Sequence, residues 1–313
     1  MSSTPNAASG FTLDGAPAAA LVTPWRQFYW LVQRELWENR SIFMAPLTAG
    51  LAAVLGSLVS WARLVAGIPA GVLKPGASDA GAVNGLIQQP FYLASLLIML
   101  STLLVAVFYS MSALHGDRRD RSILFWKSLP VSDLMTVLSK ASVPIVVLPL
   151  VTFAVTVATH WVMLLAGSGI LLVSGQDAAL LWSPFFLFSS WLMLLYHLVL
   201  VHGLWYAPIF GWLLLISAWA KRVPILWAFL PPLAIGIMEK IALNTKHLGA
   251  MIANRIGGAG DGSTFTAGGI SMDPLTMLTP IHFLTSRGLW IGLAFTALCL
   301  AGAVACRRSA GPM

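Results

Sequence analysis

The chain has 313 residues, of which 58% are hydrophobic and only 9% charged. Soluble domains carry about a quarter charged residues, so the composition excludes an ordinary soluble fold and points to an integral membrane protein. The net charge of +7 reads as basic residues holding loops on one side of a membrane rather than as a nucleic-acid surface, and the two cysteines, Cys299 and Cys306, make neither a disulfide framework nor a metal spacing.

Residues 1–24 are rich in Ala, Ser, Pro and Gly. They lack the basic start and apolar core of a secretory signal and read as a mobile cytoplasmic tail. Residues 25–40, WRQFYWLVQRELWENR, follow a helical period. Trp25, Phe28, Tyr29, Val32 and Leu36 share one side, and Arg26, Gln27, Gln33, Arg34 and Glu38 the other. This predicts an amphipathic helix lying in the membrane interface.

The apolar segments that follow run near twenty residues, the length of helical spans rather than of barrel strands. Six spans are expected, over about 42–66, 90–114, 141–166, 184–220, 224–242 and 288–305. Residues 25–313 thus form one all-α transmembrane domain. The stretch 184–220 is the ambiguous one, since a single helix of that length would reach about 55 Å. Two spans broken at Tyr206-Ala207-Pro208 would carry Lys221-Arg222 to the outer side. One long or kinked span keeps that pair inside and is preferred. With the N-terminus inside, most of the 18 Lys and Arg residues then fall on the inner side. They lie on the N-terminal helix, in the loop after the second span, at Lys221-Arg222 and at Arg307-Arg308. Both termini are expected to be cytoplasmic. Residues 67–89 and 243–287 become outer loops.

Little in the chain suggests catalysis. GGAGDG at 257–262 lacks the Gly-Lys-Ser/Thr ending of a phosphate-binding loop and reads as a flexible outer loop. No metal-ligand spacing and no convincing nucleophile–base pair occur, so neither catalytic nor metal residues are assigned. Ionisable residues inside a membrane are functional candidates by default. Here these are His160, His197, His202 and Glu239, for which packing against a neighbouring helix is the simpler reading. On an α-helix, His197 and His202 stand about 140° apart and do not make one site.

Residues 115–140, HGDRRDRSILFWKSLPVSDLMTVLSK, are the exception. Asp117, Arg118, Arg119, Asp120 and Arg121 form a mixed-charge entry. Ile123, Leu124, Phe125 and Trp126 form an apolar knob. Pro130 cannot continue a helix interior, and Ser132 or Asp133 can cap the next helix. This predicts a short cytoplasmic helix, a turn, and a helix leading into the third span. A knob with a charged collar suits a groove in another protein. An interfacial helix tucking Phe125 and Trp126 into lipid accounts for the same residues.

The stretch closely resembles the cytoplasmic signature of bacterial ABC type 2 export permeases. In many of these a Glu-Arg-Arg-Asp-Arg-Ser run leads into Phe-Trp-Lys-Ser-Leu-Pro-Val-Ser-Asp and a later Lys. The corresponding residues are Asp117 to Ser122, then Phe125 to Asp133, then Lys140, with Asp117 replacing the usual Glu. Arg34 to Arg40 and Leu204 to Pro208 are also similar to this family. The resemblance implies an N-terminal interfacial helix, six spans and a cytoplasmic coupling helix in the bacterial inner membrane. It places ATPase coupling on Asp117, Arg118, Arg119, Arg121, Phe125, Trp126, Lys127, Pro130 and Asp133. It implies two permease copies, identical or paralogous, with two ATP-binding subunits that hold ATP and Mg. No cofactor is expected in this chain itself, and membrane lipid is its other partner. The function so implied is export of a substrate driven by a separate ATPase. The rivals are a membrane-embedded enzyme and a membrane assembly protein whose ATPase partner drives no transport.

Overall fold

The computed structural model describes residues 23–67, 80–120, 131–182, 184–256 and 280–309. Among these the chain is helical throughout. The helices are α1 (Pro24–Glu38), α2 (Ser41–Ala66), α3 (Ala80–Arg119), α4 (Asp133–Ser142), α5 (Leu148–Val173), α6 (Pro184–Tyr196), α7 (Ala207–Trp219), α8 (Pro224–Leu243), α9 (His247–Ile256), α10 (Pro280–Thr285) and α11 (Arg287–Ser309). Two π-helical stretches, Val143–Val147 and His197–Trp205, join α4 to α5 and extend α6. Six helical segments are long and apolar enough to cross a membrane, as the hydropathy pattern predicts.

Local sequence explains the ends. Pro24 and Pro224 open their helices, where a missing N–H costs nothing. The Ser132 hydroxyl accepts from the backbone N–H of Met135 and so caps α4, one of the two caps anticipated. Asn244, in the left-handed region at φ 50°, ends α8.

α2, α3, α5, α7 and α11 form the packed bundle. Its large cluster, with Ile42, Tyr109, Val137, Leu148, Phe210 and Ala303, lies toward the charged end. A second cluster around Trp61, Phe91, Met163 and Leu187 fills the opposite end. Close approach there depends on Gly167, because a Cβ added to it would stand 2.6 Å from the Trp61 ring. Buried hydroxyls such as Thr102, Ser110, Thr152 and Thr156 donate to carbonyls one turn back and so are satisfied within their own helices. By contrast, α8 has a single buried residue, Ala228.

The stretch from 184 to 219 resolves as one bent traverse of the bundle. Leu187 packs in the far cluster, and the Trp191 indole reaches His160. At the other end the Ser217 hydroxyl accepts from the N–H groups of Leu114 and His115, and the Ala220 carbonyl contacts His115 Nδ1. The bend falls at Tyr206, ahead of Pro208, which has no N–H to continue the ladder. Lys221 and Arg222 therefore lie at the same end as Arg118, Lys140 and Arg307.

α3 departs from expectation. Hydropathy ends the second span near 114, yet the helix continues to Arg119 and carries Asp117 and Arg118 inward. α1 also differs in detail. Its buried pair is Leu31 and Glu35, whereas Trp25, Tyr29, Trp30 and Trp37 remain more than half exposed.

Candidate functional site: a buried ionic network

Helical spacing places six ionisable side chains in one spot. Asp133 and Lys140 are seven residues apart, two turns along one face of α4. Tyr109 and Asp117 are similarly placed on α3. Glu35 arrives from α1 and Arg307 from the last turn of α11.

Lys140 Nζ donates to Glu35 Oε1 at 2.8 Å and to Asp117 Oδ1 at 3.4 Å. Arg307 Nη1 donates to Asp117 Oδ2 at 3.1 Å, and its Nε donates to Asp133 Oδ1 at 3.0 Å. The Tyr109 hydroxyl donates to Glu35 Oε2 at 2.8 Å. Beside them, Arg118 Nη1 donates to the Ala218 carbonyl at 2.7 Å and ties α3 to α7. Glu35, Asp117, Arg118, Lys140 and Arg307 are all buried. Each buried ion costs several kcal/mol of desolvation, offset only by good geometry and further hydrogen bonds. Asp117 supplies that geometry by bridging two cations with its two oxygens.

The network fastens both stems of the segment 121–130. Asp117 and Arg118 precede it and Asp133 and Lys140 follow it. The charged entry expected at the surface is thus divided. Asp117 and Arg118 face inward, whereas Arg119 is exposed and, among the described residues, pairs with its neighbour Asp120. Arg121, Phe125, Trp126, Lys127 and Pro130 lie outside the described residues. Glu35 and Arg307 were not singled out from sequence. Glu35 is flanked by Arg34 and Glu38, which form an exposed pair one turn apart, and it looks like part of that solvated face. The one available signal is its place four residues after Leu31, the stripe that α1 buries.

The other candidates are scattered. His160 is buried with both ring nitrogens engaged. Trp191 can only donate, so Nδ1 accepts, and Nε2–H then donates to the Phe91 carbonyl at 3.1 Å. This is a neutral, structural imidazole. Glu239 is exposed and accepts from the Thr245 hydroxyl and from the backbone N–H groups of His247 and Leu248. It caps α9 across the turn from α8. His197 and His202 require a correction. They lie within a π-helical stretch, where residue i+5 stacks one turn above residue i. They therefore share a face instead of standing 140° apart. His202 is 1% exposed and packs edge-on to Tyr206, and its Nε2 has no hydrogen-bond partner among the described residues. No group of three or more His, Cys, Asp or Glu among the described residues could hold a metal.

Comparison with protein-family models, curated proteins and solved structures finds no match.

The helix bend is also held from outside the bundle. The Arg255 guanidinium lies 4.1 Å from the Trp205 ring centroid and donates to the Gly288 carbonyl at 3.2 Å. Trp205 Nε1 and the Tyr206 hydroxyl donate to the carbonyls of Arg255 and Ile256. Gly292 leaves room for the guanidinium, which a Cβ there would meet.

Proposed function

We propose that the chain is the membrane-spanning permease subunit of an ATP-driven exporter, coupling a separate ATPase to substrate movement across the bacterial inner membrane. The observation that carries this reading is the placement of the ionic network. A push or twist on segment 121–130 acts through its two stems on Asp117 and Lys140. From there it passes to α1 through Glu35, to α11 through Arg307 and to α7 through Arg118. One small external contact is thereby connected to most of the bundle. In this reading segment 121–130 is the coupling helix, with Phe125 and Trp126 seated in the ATPase. The exposed aromatic side of α1 lies in the interface, where Trp and Tyr are favoured.

The clustering of Arg118, Lys140, Arg222 and Arg307 at one end of the bundle supports a cytoplasmic placement of that end and of both termini. ATP and Mg bind the partner subunits, and two permease copies enclose the route. Coupling of this kind is reciprocal, so substrate must alter nucleotide hydrolysis as nucleotide alters the spans. The reading as a membrane-embedded enzyme has less to work with, because His160 and Glu239 are spent on internal bonds.

The test is reconstitution. The chain is co-expressed with any P-loop ATPase that a neighbouring reading frame is found to encode, and hydrolysis is measured in proteoliposomes with and without candidate substrates. A complex whose hydrolysis responds to a substrate that it also moves supports the proposal. An ATPase that neither binds the chain nor alters its behaviour removes it.

A further inference from the structure

A groove of about 550 Å³ opens on the bundle surface between α2 and α3. This lies within the range of roughly 300–1,000 Å³ typical of small-molecule sites. Its α2 wall runs from Ser41 to Ala52 and its α3 wall from Leu97 to Ser112. At about 1.5 Å per residue those walls are about 16 and 22 Å long. One membrane leaflet with its headgroup layer is about 20 Å deep. The groove thus matches a single leaflet, whereas a docked helix from another chain would need a channel through both.

Its chemistry is graded in the same direction. Asn39, Ser41 and Ser112 line one end, beside the ionic network, and Ala52 and Leu97 line the other. Between them, the Thr48 and Ser101 hydroxyls donate to their own helix carbonyls, those of Ala45 and Ile98. The middle of the groove therefore offers carbon surface and no free donor. The sequence sets a basic residue next to the lining residues of the mouth. Arg40 is exposed and stands between Asn39 and Ser41, with no carboxylate partner among the described residues. The nearby Arg34 is already paired with Glu38, and Arg119 with Asp120.

We propose that this groove holds one anionic phospholipid. One acyl chain lies along α2 and α3, and the phosphate pairs with Arg40. The proposal does not depend on the exporter reading. Bound lipid would pack beside Tyr109, which lines the groove and donates to Glu35, and would brace the corner where α1 joins the bundle.

The experiment uses the full chain, purified in detergent, delipidated, and titrated separately with dioleoyl phosphatidylglycerol and dioleoyl phosphatidylcholine. Native mass spectrometry counts bound lipid. The wild type should retain one phosphatidylglycerol per chain, in preference to phosphatidylcholine. Arg40→Gln should abolish that preference, weakening phosphatidylglycerol by about fivefold, as expected for one basic residue near an anionic surface. Thr48→Phe and Ala52→Phe each fill the groove from an exposed position and should weaken both lipids. Two filling variants guard against one that misfolds, and thermal unfolding reports which is sound. Equal retention of both lipids by the wild type overturns the proposal, as does unchanged binding in a folded filling variant. A groove occupied by a second copy would instead show filling variants that dissociate a dimer and leave lipid binding intact, and this too overturns it.

Discussion

Lys140 and Glu35 are 105 residues apart in the chain, yet their charged atoms meet at 2.8 Å with both side chains almost fully buried. The pair fastens α1 to the start of the third span, at the level where segment 121–130 leaves the bundle. Neither charge is at home there without the other. Removing one partner of a buried pair costs about 3–5 kcal/mol, because the remaining charge is left uncompensated. Lys140→Met should therefore destabilise the folded chain by that amount, and Glu35→Gln should do so less, since the amide oxygen still accepts from one of the two donors and Asp117 still faces Lys140. Reversible unfolding in mixed micelles measures both. A Lys140→Met variant as stable as the wild type would remove the network from the stability of the fold.

Gly167 offers a packing test with its own control. A Cβ there would stand 2.6 Å from the buried Trp61 ring, and overpacking a filled core costs about 1–3 kcal/mol. Gly167→Ala should lower stability by that much. Gly56 lies on α2 with nothing within 4 Å of an added Cβ. Gly56→Ala should cause no loss, and a helix gains up to about 1 kcal/mol from such a change. Thermal unfolding of the two variants side by side checks the contrast.

Much of the fold was legible because hydropathy marks where hydrocarbon ends. The expected spans 42–66, 224–242 and 288–305 correspond to helices Ser41–Ala66, Pro224–Leu243 and Arg287–Ser309. Hydropathy does not mark where a helix ends. α3 runs five residues past its apolar stretch because Asp117 and Arg118 find partners on α4, α7 and α11. Those partners are 23 to 190 residues away, and no local pattern announces them. The same holds for Glu35. The placement of His197 and His202 failed for another reason. Residue spacing was converted to angle with the α-helical period, and the π-helical stretch replaces it. The helix cap, a purely local device, was narrowed by sequence to Ser132 or Asp133, and Ser132 fills it.

Orientation is testable without a partner. In a background with Cys299 and Cys306 replaced, cysteines at Ser78 and Ser263 should react with an impermeant thiol reagent added to sealed cells. One at Ser122 should react only after permeabilisation. The prediction rests on the gathering of Arg118, Lys140, Arg307 and the Lys221-Arg222 turn at one end of the bundle. Labelling of Ser122 in sealed cells would reverse the proposed topology and with it the coupling role of segment 121–130.

The coupling role itself turns on Phe125 and Trp126, the largest apolar side chains between the two stems. Seated in a groove of an ATPase, each would contribute about 2 kcal/mol or more through burial, and anchors of this kind dominate interfaces. Phe125→Asp combined with Trp126→Asp would set two carboxylates against that apolar groove, where an unpaired charge is costly. The spans and the ionic network are untouched by the change, so membrane expression should stay normal. Association with the ATPase, or its response to substrate, should be lost. If the two rings instead rest in the lipid interface, detergent pulldown of the ATPase should persist, and only membrane anchoring of the segment should weaken. Comparing Lys140→Met in the same pulldown separates contact from transmission. That variant keeps both anchors, so it should still bind the ATPase, but its stems are no longer tied to α1 and substrate should cease to stimulate hydrolysis. Full stimulation in Lys140→Met would show that the push travels by another route, whatever the anchors bind.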